Sequence, residues 1–186
     1  MDVLNGETVY GKFWSSDTPS VPLGYKAWTF SPRLCASASL AVSGTQYVVA
    51  IDVPAAMTIT NLYWGVAVAG TTPTAGQNWA GLYDPSGNLL GSLGIDSDIT
   101  SIGRKTAAVG TINLSAGFVY ASLIFNAATP PQVPRCGGSG GATMINGSLT
   151  GANLLFATNG TGKTSMPSSI TMSSNIGGQG YWAAVA

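Results

Sequence analysis

The sequence predicts an all-β protein, an antiparallel β-sandwich of jelly-roll-like form with an extended N-terminal arm. Three observations carry the prediction. Short apolar segments alternate with a period of two, the signature of strands with one buried face. Turns rich in Gly and Pro separate those segments. Charged residues make up only 8% of the chain, against roughly 25% in typical soluble domains. Glu7 is the sole glutamate, so the Glu/Lys/Leu/Ala mix of a surface helix is missing and helix should be scarce.

Residues 1–34 form the predicted arm. They carry three prolines and scattered rings at Tyr10, Phe13, Trp14, Tyr25, Trp28 and Phe30, with little apolar periodicity. A disordered tail is poor in aromatics, so these rings are expected to anchor the arm in grooves of a neighbouring subunit or of its own domain; a pair of irregular edge strands is the alternative. Tyr10, Phe13, Trp14, Trp28 and Phe30 are the candidate anchors.

Residues 35–186 are expected to form one sandwich domain, a size able to bury a sizeable core. The run Gln46–Val53 alternates Tyr47, Val49, Ile51 and Val53 against Val48, Ala50 and Asp52, and Pro54 stops it. The central stretch from Met57 to Asn126 organises the rest. Leu62, Trp64, Val66 and Val68 share one face there, and Asn61, Tyr63, Gly65 and Ala67 the other. At Asp84-Pro85-Ser86-Gly87-Asn88 the proline presets φ and Gly87 tolerates positive φ, which predicts a hairpin. Val119, Ala121, Leu123 and Phe125 alternate with the mixed set Phe118, Tyr120, Ser122 and Ile124, a strand with partial cover. A Pro/Gly-rich stretch at 128–142 reads as a linker or a long excursion without pattern. Beyond it, strands are expected at 152–158 and 179–185, the second closing a sheet with Trp182 as its main buried group.

Composition limits function. The sequence contains no histidine, which removes Ser-His and Cys-His nucleophile pairs, the histidine general base and nearly all zinc sites. Seven acidic and seven basic residues give zero net charge and never cluster, so the basic stripe that nucleic acid demands is missing. No apolar run approaches the roughly 20 residues needed to insert in a membrane as a helix, and the polar start predicts no signal peptide. No cofactor is expected.

Several motifs match chemistry without its context. Gly137-Gly138-Ser139-Gly140-Gly141 fits a nucleophile elbow but lies in a Gly/Ser tract. Residues 157–164 resemble a phosphate-binding loop, yet Pro167 and the serines after it cannot supply the required helix. Asp96 and Asp98 read as a solvated loop, with Arg104 and Lys105 as counterions. Asn146 and Asn159 sit in glycosylation-like triplets that read better as turns. Cys35 and Cys136 are read as two unpaired, mostly buried thiols, a single bridge being the other option. Trp79 and Tyr83 share a face of QNWAGLY; with Leu82 inward they would project outward beside Asn78, the kind of surface on which sugars stack. The competing reading places Trp79 in the core.

The run ITNLYWGVAVAG…GQNWAGLYDPSGNLLG…KTAAVGTINLSAGFVYASLIFN, with MPSSI and a closing YWAAVA, resembles the β-sandwich domain of minor tail proteins of actinobacterial bacteriophages, over residues 45–186. The resemblance implies a virion component at the tail tip or fibres that contacts the host envelope, often as a trimer, with no catalytic residues to carry over. The missing catalytic groups and the arm-plus-sandwich layout add the expectation of a non-enzymatic protein, held to other virion proteins by its arm and contacting host cell-surface polysaccharide. A low-charge surface with an aromatic-bearing arm predicts a homotrimer. Because the domain follows a short arm starting at Met1, capsid decoration or a head fibre is the alternative placement on the virion.

Overall fold

The computed structural model of the protein describes residues 24–137 and 144–186, together with the backbone of two short paired strands, β1 (Val3–Leu4) and β2 (Glu7–Thr8). The front of the chain then supplies β3 (Ala27–Trp28), β4 (Cys35–Leu40), β5 (Gln46–Val53), β6 (Met57–Val66), β7 (Thr71–Pro73), β8 (Trp79–Tyr83) and β9 (Leu89–Gly94). β10 (Gly103–Leu114), β11 (Gly117–Ile124), β12 (Ala127–Thr129), β13 (Gln132–Cys136), β14 (Phe156–Thr158), β15 (Ile176–Gly177) and β16 (Ala184–Val185) follow. One sheet has the order β10-β6-β16-β3 and the other β15-β14-β5-β11-β8-β9, with antiparallel neighbours throughout. The protein is an all-β sandwich of these two sheets.

The predicted alternation decides which side chains meet between the sheets. Tyr47, Val49, Ile51 and Val53 of β5, Leu82 of β8 and Val119, Ala121 and Leu123 of β11 all enter the main core. Leu62, Trp64 and Val66 of β6 face them, and Trp64 is fully buried with its ring 5.5 Å from that of Phe125. Removing one such large side chain from water contributes about 2–3 kcal/mol. β6 ends at Val66, so Val68, expected on the buried face, is 48% exposed and only bridges Gln132.

The hairpin between β8 and β9 is built as its residues dictate. Asp84 accepts hydrogen bonds from the Ser86 and Asn88 amides, each at 2.9 Å, and Gly87 adopts φ +87°. A β-carbon on Gly87 would also strike the Ile170 carbonyl oxygen at 2.1 Å, because residues 168–170 are laced to the hairpin by hydrogen bonds. On the far edge Gly91 lets β9 cross β10 closely enough that a β-carbon there would lie 2.3 Å from the Val109 carbonyl oxygen.

The outward face of the six-stranded sheet is where expectation and structure part. Val48, Ala50, Tyr83 and Tyr120 point away from the main core and meet Leu154, Ile170 and Met172 in a second apolar cluster. The segment after β13 therefore lies over the sheet as a cover. The two strands expected there shrink accordingly, to Phe156–Thr158 and Ala184–Val185, and Ile176–Gly177 adds a short strand outside either expected span. Cover residues need turns rather than ladders, and Gly151–Asn153 and Met172–Ser174 form 3-10 turns there.

Two boundaries are corrected. The arm was expected to run to residue 34, yet the sandwich already begins near Tyr25. Trp28 and Phe30 are 6% and 8% exposed within the main core, and β3 pairs with β16. They pack into the core of their own domain, one of the options the sequence left open, and Trp28 does so from an edge strand of the four-stranded sheet. Tyr10, Phe13 and Trp14 lie outside the described residues. The stretch at 128–142 was expected to lack pattern, but β12 pairs with β7 and β13 with β4. Its residues 138–142 lie outside the described residues, and with them most of the GGSGG tract.

One substitution and one deletion test this packing. Gly91→Val should cost at least 1–3 kcal/mol from overpacking against backbone, read as a lower urea midpoint at unchanged slope. Deleting residues 183–186 removes β16 from between its two neighbours and should cost more than about 4 kcal/mol, seen as loss of a cooperative thermal transition.

Candidate functional site

The face of β8 proposed for sugar stacking is not available for it. Tyr83 is fully buried, and its hydroxyl donates to the Pro167 carbonyl at 2.7 Å and accepts from Gln46 Nε2 at 3.3 Å. The face assignment itself holds, with Leu82 inward and Tyr83 outward; the covering segment removes the exposure. Asn78 is also fully buried. Its Nδ2 donates to Thr74 O and Asp96 Oδ1, and its Oδ1 accepts from the Asn126 amide at 2.7 Å. Trp79 is half-buried, outside the core, and its indole N–H donates to Gly76 O at 3.1 Å.

Rings and charge converge elsewhere, on the outer side of the four-stranded sheet. Tyr63 projects there because it alternates with the buried Leu62 and Trp64. Tyr25, just ahead of β3, lays its ring against Tyr63 at 5.2 Å, Trp182 at 5.4 Å and Trp28 at 6.2 Å, all edge to face. Arg104 comes from β10, opposite Gly65 of β6, and stands 5.1 Å from the Tyr63 ring centroid and 5.9 Å from that of Tyr25. Pro32, Gly65, Pro134 and Trp182, with Tyr25 and Arg104, line a shallow groove of about 290 Å³, and Tyr63 stands beside it under Arg104. The indole N–H groups of Trp64 and Trp182 are buried without a hydrogen-bond acceptor.

Arg104 is exposed, and its interactions among the described residues are with rings rather than a carboxylate. A hydrogen bond to Tyr25 is the main reason its pKa is raised further. The groove therefore presents a permanent, unneutralised cation beside apolar ring edges. A cation over an exposed ring contributes about 0.5–1 kcal/mol to the groove's own order and leaves the guanidinium fork free to grip an anion.

A larger cleft, about 540 Å³, lies between residues 146–154 and 175–179, lined by Asn, Gly, Leu, Thr, Ile and Gln. It offers neither ring nor charge. Asn146 at its edge is buried and occupied: its Oδ1 accepts from the Leu155 and Phe156 amides and its Nδ2 donates to Phe156 O. Asn159 is likewise a buried tie, donating to Thr171 O and Asn175 Oδ1, rather than an exposed turn residue.

The acidic groups are structural acceptors. The Gly76 amide, then the Asn78 side chain, hold the Asp96 carboxyl below its ordinary pKa. At Asp84 partial burial pushes upward, but hydrogen bonds from Asn88, Ser86 and Gly87 outweigh it and the net shift is downward. Asp98 opens a 3-10 turn, and Lys105 donates to Ser101 Oγ at 2.6 Å rather than pairing with either aspartate. Among the described residues no group of three or more Cys, Asp or Glu side chains is placed to hold a metal ion.

The groove's residues come from five separate segments, so spacing could not reveal it. One signal was available: Tyr63 is an aromatic on the solvent side of an otherwise polar or small-residue face. No protein-family model and no curated protein matches the chain.

Burial makes the tyrosines sensitive to alkali. Desolvation raises the Tyr83 hydroxyl from the ordinary 10.0 to about 12, partly offset by the Gln46 hydrogen bond. The native state keeps its proton to higher pH than the unfolded chain, so stability should be full below about pH 10 and fall as pH rises from 10 towards 12. Urea unfolding across that window should show the fall. Tyr83→Phe should flatten it, leaving the part due to Tyr120 and Tyr181, which burial also raises, and should cost about 1 kcal/mol near neutrality.

Proposed function

We propose that this chain is a non-enzymatic binding component of a bacteriophage particle, and that the Tyr25–Tyr63–Arg104–Trp182 groove is where it holds a host surface glycan, preferentially an acidic one. The observation that carries the reading is Arg104: an exposed cation supported by rings and without a carboxylate partner among the described residues, in a groove that Tyr25 and Trp182 also line. Sugar C–H faces pack on ring surfaces, while a carboxylate or phosphate on the sugar pairs with the guanidinium. Placement on a virion follows from the resemblance to minor tail proteins. Capsid decoration is the other placement that resemblance leaves open.

A passive role fits the chemistry of the carboxylates. A glycosidase needs one acid with a raised pKa facing a second carboxylate across a cleft. Asp84 and Asp96 are shifted the opposite way and spend their oxygens on backbone amides. Self-association into a trimer, and attachment through residues 1–23, belong to the same proposal. Met144, Ile145, Leu149 and Ile176 support it, since all are exposed apolar side chains near the β15 edge, and clustered apolar surface usually marks an interface.

Immobilised acidic and neutral bacterial surface polysaccharides provide the test. The protein should bind acidic ones, and Arg104→Ala should weaken binding about tenfold or more, the equivalent of roughly 1.4 kcal/mol, while thermal unfolding stays close to that of the parent. Equal binding by Arg104→Ala, or shortening of any polysaccharide during incubation, would overturn the proposal.

A further inference from the structure

Cys35 and Cys136 are register partners at the end of the β4–β13 ladder. They lie a hundred positions apart in sequence, and a bulge that skips Ala36 brings them opposite each other. Residues facing each other across antiparallel strands are of two kinds: those that exchange backbone hydrogen bonds and those that do not, and the second kind has the closer Cα atoms, about 4.5 Å apart. The Cys136 amide donates to Gly180 O at 3.1 Å and the Cys35 amide to Pro32 O. Neither amide bonds the other cysteine, so no ladder hydrogen bond joins the pair. Partners of that kind stand about 4.5 Å apart at Cα in a regular ladder, within the Cα range of natural disulfides, about 4.4–6.8 Å.

The side chains also share their surroundings. Both thiols are half-buried and both pack against the main core. Cys136 Sγ is fixed from behind by Gly180, where a β-carbon would come within 2.7 Å of it. Each thiol feels the burial, and Cys35 also feels Cys136 directly, which together push the Cys35 pKa up to about 11. That coupling is an independent sign that the two sulfurs are neighbours.

We propose that Cys35 and Cys136 form an intramolecular cross-strand disulfide when the protein meets a disulfide oxidant, stapling β4 to β13 without rearrangement of either strand. In the exchange one cysteine thiolate attacks a sulfur of the oxidant and releases the first small thiol. The second cysteine thiolate then attacks the protein-bound sulfur of that mixed disulfide and releases the second. The protein loses two hydrogens and is oxidised, the oxidant is reduced to two thiols, and both cysteine protons end on those thiols. Burial keeps both thiols protonated near neutrality, so the exchange is slow and calls for excess oxidant. The bond closes the loop that holds β5 to β12, which restricts the unfolded chain. It also fixes one wall of the Arg104 groove, since Cys35 and Pro134 line it. The inference is independent of the ligand assigned to that groove.

Incubating the folded protein with excess oxidised glutathione should give a monomer lighter by two hydrogens. Digestion should yield a single cross-linked peptide pair containing Cys35 and Cys136, lost on reduction. The oxidised protein should melt several degrees above the reduced one. Cys35→Ser and Cys136→Ser should each carry one glutathione at most and show no such rise. Parent protein that accumulates two glutathione adducts, gives only disulfide-linked dimers, or melts lower when oxidised would overturn the proposal; the comparison of oxidised with reduced parent stands even if a serine variant fails to fold.

Discussion

The strand at the end of the sequence, Ala184–Val185, is the constraint on which the rest depends. It lies inside the four-stranded sheet, between β6 and β3, so both of its edges are paired. Its neighbours hold it by short backbone bonds, among them Lys26 N to Val185 O at 2.8 Å and Thr29 N to Ala183 O at 2.9 Å. The residues from Tyr181 to Val185 are all buried. A central strand this short gains little from its own ladder; burial of Tyr181 and Trp182 on either side of the sheet provides the rest. Through it the front of the chain at Tyr25–Phe30 reaches the core, and Trp182 is set beside Tyr25. The groove is a product of that insertion.

A chain with so few charges must satisfy its covering loops in another way. Asparagine does this here. Asn78, Asn126, Asn146, Asn159 and Asn175 are all buried, and the first four bond backbone groups or one another across distant segments. A buried amide costs free energy unless its donors and acceptors are met, and the same requirement gives the loops a defined path. The cover over Tyr83 and Tyr120 is thus held by amide ties at its edges and by apolar contact beneath.

Much of the sandwich could be read from alternation. The two faces of β5 divide between the two apolar clusters along the line that Tyr47 and Val48 suggest, and the Asp84–Asn88 hairpin forms for the reasons its residues give. What alternation cannot say is what lies beyond an outward face. Tyr83 was placed on the correct side of β8 and still misjudged, because its cover arrives from eighty residues later in the chain. The same limit hid β3: two residues, Ala27 and Trp28, are too few to show a period, and only their partner β16 makes them a strand. The Arg104 groove was beyond reach for a related reason. Its cation and rings are gathered by sheet order, a long-range property that local spacing does not encode.

The central claim is that the protein acts by presenting the groove of Tyr25, Tyr63, Arg104 and Trp182, without transforming what it holds. Nuclear magnetic resonance of isotope-labelled protein titrated with an acidic bacterial-surface oligosaccharide tests it most directly. The account predicts shifts confined to the Arg104 side chain, the Trp182 indole and the amides around Tyr25 and Tyr63, with the sugar's own resonances unchanged in covalent structure. Shifts centred instead on the Asn146–Gln179 cleft or on Trp79, or new sugar resonances from a cleaved product, would contradict it.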